Sequence, residues 1–69
     1  MFGERLKATR QARKYTQTGL ANVLDMDKST FSKYEHGERE PSFRVLCNLC
    51  VLLDVSADYL LGLTDEMPE

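Results

Sequence analysis

No apolar run in the 69 residues approaches the ~20 needed to cross a bilayer, and no apolar stretch follows a basic N-terminus as in a secretion signal. The chain is therefore expected in the cytoplasm. Cysteine is scarce. Cys47 and Cys50 form a single C-x-x-C pair, and the one histidine, His36, falls in another segment. A structural zinc site usually takes four ligands, so no metal is expected. Spaced i, i+3 in an apolar helical run, the two cysteines read as small buried hydrophobes. A disulfide between them would distort the helix, and a cytoplasmic setting disfavours it further. There is no glycine-rich phosphate loop, and no serine or cysteine is placed to be activated by His36, so neither a catalytic constellation nor a cofactor is expected. Repeats, linkers and low-complexity tracts are also missing.

What remains bounds the answer tightly. Sixty-nine residues make one domain near the lower limit for a self-sufficient core, and 42% hydrophobic content is too much for a disordered segment. The net charge of −2 argues at first against nucleic acid. Its placement argues otherwise. Residues 1–15 carry Arg5, Lys7, Arg10, Arg13 and Lys14 against Glu4 alone, giving +4, while residues 38–69 hold two basic and seven acidic groups, giving −5. Two solvated helix faces would account for this. So would a polarised molecule with one face toward phosphate, which the placement favours.

The patterning predicts an all-α, compact five-helix bundle. A first helix covers about residues 2–13, with Phe2 and Leu6 inward and Arg5, Lys7, Arg10 and Arg13 on the polar face. Thr16 caps a second helix, 17–24, in which Gly19 costs about 1 kcal/mol relative to Ala. A third covers 28–35 and stops at Gly37, with Asp27 as its N-cap through the side-chain carboxylate. His36 to Pro41 is a charged connector. Ser42 caps a fourth helix, 43–53, apolar at Phe43, Leu46, Cys47, Leu49, Cys50 and Leu53. Ser56 caps a short fifth, 57–61, ended by Gly62. Residues 1–63 thus form the domain and 64–69 an acidic tail that should fray.

The second and third helices carry the functional signal. Leu20, Ala21 and Leu24 make one half-buried stripe, Asp25-Met26-Asp27 interrupts it, and a new segment follows. At about 100° per residue, turning Phe31 inward leaves Ser29, Lys33 and His36 outward, with Lys28, Thr30 and Ser32 on the flanks. Such side chains suit base edges and phosphates in a major groove. The pattern reads as a helix-turn-helix.

The chain resembles the phage-repressor helix-turn-helix family, the Cro and lambda-type repressors also called the xenobiotic-response-element group. The resemblance runs from Phe2 to about Asp65, through FGERLK, TQ, LA at Leu20-Ala21, STFSKYEHGEREPS and DVSADYLLGLTDE. It implies a lambda repressor-like five-helix domain that binds double-stranded DNA, usually as a dimeric repressor on a palindromic operator. It further implies base reading by Lys28, Ser29 and Lys33 with Thr30 at the edge. Backbone contacts would come from Gln17, Ser32, Tyr34, His36 and Arg39, though Tyr34 also suits packing. Arg10 and Glu35 match an internal salt bridge, which their joint presence favours over a phosphate role for Arg10. Dimer contacts would lie at Asp54, Val55, Ala57, Asp58 and Leu61. The chain departs from the family where Asp25, Asp54 and Lys14 replace common glycines, Thr9 a core leucine, and Val51 a surface lysine.

The reading is a sequence-specific transcriptional regulator, most simply a homodimeric repressor. An antitoxin on the same fold is the main alternative; it would bind a protein partner, a toxin or an anti-repressor, away from the third helix through Val51 or the acidic tail. A pure interaction module is another, supported only by the net charge.

Overall fold

The computed structural model describes residues 1–66. Five helices follow in order: α1 Phe2–Ala12, α2 Gln17–Val23, α3 Lys28–Glu35, α4 Phe43–Leu53 and α5 Ala57–Leu60, with no strand among the described residues. α1, α2 and α5 each end one residue before the expected boundary.

Three helices start as their cap residues dictate. The hydroxyl oxygens of Thr16, Ser42 and Ser56 accept from the backbone N–H of Gly19, Val45 and Tyr59, satisfying donors that the first turn leaves open. Asp27 differs from the expectation. Its backbone takes the extended cap conformation, but its carboxylate makes no capping bond and stays in solvent. Backbone geometry alone starts α3.

All five helices end in one way. A left-handed residue follows each of them: Lys14 (φ 66°), Asp25 (φ 56°), Gly37 (φ 75°), Asp54 (φ 53°) and Gly62 (φ 82°). The next residue, Tyr15, Met26, Glu38, Val55 or Leu63, donates its N–H to a carbonyl five positions back. This is the Schellman arrangement, and an apolar residue there folds back on the helix. Tyr15, Met26 and Val55 do so and join the core. Non-glycine residues in this conformation cost about 1–2 kcal/mol each, so three of the turns carry strain.

The core is Leu6, Leu20, Ala21, Phe31, Tyr34, Leu49, Leu53, Val55 and Leu60, with α3 packed against both α1 and α2. Thr9, in a leucine's place, is fully buried, and its hydroxyl donates to the Arg5 carbonyl at 2.7 Å, so no polar atom is orphaned. α4 corrects the expectation. Phe43 is 86% exposed and Cys47 is also exposed, because the helix carries more apolar residues than its buried face, Leu49 and Leu53, can use. Cys50 is half-buried, not buried. Burial pushes its thiol above the ordinary range, and the neighbouring Cys47 pushes the same way. At the start of the proposed tail, Arg5 donates to the carbonyls of Tyr59 and Thr64 and pairs with Asp65. The rest of the proposed frayed segment, 67–69, lies outside the described residues.

α1 crosses the end of α3 so closely that a methyl group at Gly3 would sit 2.3 Å from the Glu35 carbonyl oxygen. Backbone cannot yield as a side chain does. Gly3→Ala should therefore lower stability by about 3 kcal/mol in urea unfolding, against the ~1 kcal/mol gain expected in an unhindered helix. Lys14→Gly should raise it by about 1 kcal/mol, a melting shift of roughly 4–8 °C.

Candidate nucleic-acid interface

α3 is fixed by its inner face. Phe31 is wholly buried and Tyr34 is 4% exposed, so the opposite side must face solvent. Lys28, Ser29 and Lys33 are exposed there, and Thr30 and Ser32 are half-buried along its flanks. The eight residues span about 12 Å, short enough to lie within one stretch of major groove. Tyr34, for which both a backbone contact and packing were expected, is a member of the core at 4% exposure.

The end of α3 is tied to two other elements through one carboxylate. Arg10 Nε donates to Glu35 Oε2 at 2.6 Å and its Nη2 to Oε1 at 3.3 Å. A third donor, Nη1, reaches the Tyr15 carbonyl at 2.9 Å, fastening the turn after α1. Gln17 Nε2 then donates to Glu35 Oε1 at 2.8 Å from the first residue of α2. Arg10 and Glu35 are 7% and 8% exposed, and no buried side-chain polar atom lacks a partner among the described residues. One ion pair thus sets the position of α2 against α3.

The arginines expected to form a basic face do not. Arg10 is buried in that pair, Arg5 clasps Tyr59, Thr64 and Asp65 and lies over the Tyr59 ring, and Arg13 donates to the carbonyls of Leu53 and Asp54. Lys7 and Lys14 stay exposed. A cleft of about 430 Å³ beside the start of α2 is lined by Lys7, Arg10, Tyr15, Thr16, Gln17, Thr18 and Lys28. It brings together two ammonium groups from α1 and α3 that sequence reasoning did not join. Only the threefold packing of α1, α2 and α3 places them together.

Past α3, His36 and Arg39 are exposed, and so are Glu38 and Glu40. His36 Nδ1 lies 2.9 Å from the Ser32 carbonyl, which can only accept, so the imidazole folds back along its own helix. Of the expected dimer residues, Asp54, Asp58 and Leu61 are exposed and Ala57 is half-buried. Val55 is corrected: at 6% exposure it belongs to the core, drawn in by the turn at Asp54.

Two helices joined at Leu24–Asp27 and locked at their far ends define the helix-turn-helix class. The chain belongs to the helix-turn-helix domain family, whose pattern matches residues 1–63. It is similar to the HTH-type transcriptional regulator YqaE of Bacillus subtilis (strain 168), 44% identical over 61 residues that cover 88% of this chain and 53% of that protein. The SPbeta prophage-derived regulator YonR of the same organism is 43% identical over 61 residues, covering 88% and 56%. Repressor protein C2 of Salmonella phage P22 is 34% identical over 61 residues, covering 88% and 28%. The chain spans little more than half the length of the first two relatives.

The latch makes a stability prediction. Arg10→Met and Glu35→Leu should each cost about 3–5 kcal/mol in urea unfolding by leaving a buried charge unpaired. The double variant should lose much less than the sum. Strict additivity would show that the two charges do not act as a unit.

Proposed function

We propose that the chain is a sequence-specific, double-stranded DNA-binding transcriptional regulator of the cytoplasm, acting without enzymatic chemistry as a dimeric repressor on an inverted repeat. The observation that carries this reading is the outer face of α3, where Lys28, Ser29 and Lys33 stand clear of the fold on a helix whose inner face and C-terminal end are both fixed. Lysine donates to guanine O6 and N7, and Ser29 and Thr30 add donors or acceptors of low selectivity. The regulator and repressor names of its relatives support the same reading.

Phosphate contacts are assigned to the cleft beside α2. Lys7 and Lys28 supply charge, and Gln17 has one amide hydrogen on Glu35 and a second left for the backbone. Ser32, His36 and Arg39 extend the contact along the strand. Size supports the dimeric reading. The domain measures 29 × 22 × 19 Å, less than the ~34 Å between successive major-groove faces, so one copy reads a single half-site. A second copy multiplies specificity. The exposed Leu61, with Asp54, Ala57 and Asp58 around it, is the surface assigned to this contact.

Lys33→Ala should weaken binding to a site selected from random duplexes by about 1–3 kcal/mol while circular dichroism stays unchanged. Gln17→Ala should weaken all duplexes about equally, since phosphate contacts carry no sequence, and should also lower stability by about 1 kcal/mol through its lost bond to Glu35. Five base pairs inserted between half-sites should abolish cooperative binding by turning one half-site through half a helical turn. Unchanged affinity on that duplex would overturn the dimeric reading.

A further inference from the structure

α4 presents an outward stripe that neither the core nor the proposed DNA contact uses. Arg44, Cys47, Val51 and Asp54 are spaced three, four and three residues apart, the a/d spacing of a two-helix seam. At about 100° per residue the three on the helix, Arg44, Cys47 and Val51, fall within an arc of about 60°, and Asp54, the left-handed residue that closes α4, follows at its C-terminal end. All four are exposed, Val51 at 80%. The Arg44 guanidinium and the Asp54 carboxylate have no partner among the described residues; the bond from Arg13 to Asp54 goes to its backbone carbonyl. Beside the seam lies a shallow groove of about 330 Å³ lined by Val23, Leu24, Asn48, Val51 and Leu52, and Val23 itself is 57% exposed. Exposed apolar surface of this kind marks a contact.

The charges choose the occupant. The stripe begins with a cation, continues with two apolar residues and ends with an anion, so it complements its own reverse. Two copies related by a two-fold axis at the level of Leu49 would place each Arg44 against Asp54 of the partner subunit. The same axis places each Cys47 against the partner's Val51. This is the a-to-d matching of antiparallel helices. A parallel pair would set Arg44 on Arg44 and Asp54 on Asp54, and like charges so placed repel.

We propose that the outer face of α4 is a self-association surface on which a second copy of this chain packs antiparallel, α4 on α4. It shares only Asp54 with the surface assigned to the operator-bound dimer and needs no DNA. The seam is about 15 Å long, far smaller than a standard interface, so the contact forms at high local concentration.

Disulfide trapping without DNA tests the register. A Cys50→Ser/Val51→Cys variant treated with copper phenanthroline should give a covalent dimer linked between Cys47 of one copy and position 51 of the other, mapped by mass spectrometry of non-reduced peptides. A Cys47–Cys47 link, or no more dimer than Cys50→Ser alone, would overturn the proposal. Sedimentation equilibrium tests the charges. Arg44→Glu and Asp54→Lys should each weaken self-association about tenfold, and the double reversal should restore it, with circular dichroism confirming the fold. Lysine already adopts the required left-handed conformation at Lys14. A free chain that stays monomeric, or a double reversal that fails to recover, would also overturn it. Because no readout involves DNA, such failures leave the operator reading standing, whereas loss of operator binding with the seam intact would count against that reading alone.

Discussion

Arg10 reaches from α1 under the end of α3 and holds Glu35 through two nitrogens, and the fold's useful geometry hangs on that contact. Glu35 accepts at the same time from Gln17, so a single carboxylate sees α1, α2 and α3 together. A helix-turn-helix needs its second helix held at a set angle to its first, and the four-residue connection Leu24–Asp27 bonds back only to α2, through Asp25 and Met26. The packing of Phe31 fixes the near side of α3, and the carboxylate fixes the far end. Gly3 contributes by its smallness, since only a bare α-carbon lets α1 come close enough for Arg10 to reach.

The same economy explains how a chain of net charge −2 keeps a lysine-bearing face on α3. Arg5, Arg10 and Arg13 satisfy carbonyls and carboxylates of the fold, ordering the segment after α5 and the turn after α4. Guanidinium suits this work because its fork bonds several acceptors at once. Lys7, Lys14, Lys28 and Lys33 remain outside, each a compact charge on a flexible stem open to solvent. Three of the chain's left-handed turns are built from Lys14, Asp25 and Asp54 rather than glycine, which leaves this small domain with strain to offset.

Helix positions were legible because Ser and Thr caps and glycine stops stand at the right offsets, and Thr16, Ser42, Ser56, Gly37 and Gly62 all behave as such residues do. The pairing of Arg10 with Glu35 was legible only through resemblance to a family, since nothing local joins residues 25 apart. Other features were beyond local reasoning. An apolar run as dense as α4 does not reveal which of its residues face inward, and so Phe43 and Cys47 were misplaced. Val55 was assigned to a dimer contact through the family resemblance alone, yet a Schellman ending buries the residue after its left-handed position. The partners of Arg5 and Arg13 lie 40 to 60 residues away and are mostly backbone carbonyls, which leave no mark in sequence. Lys7 and Lys28 converge for the same kind of reason, through packing alone.

On the proposed reading, α3, held by the Arg10–Glu35 pair, is the surface that meets DNA. An NMR titration with a duplex selected for tight binding tests it most directly. The largest amide shifts are expected at Gln17, Thr18 and Lys28 to Lys33, while the Arg10 Nε–H signal should stay slow to exchange because the pair remains closed in the complex. Shifts concentrated on α4 or α5 with α3 unmoved, or an Arg10 Nε–H that opens to solvent on binding, would contradict it.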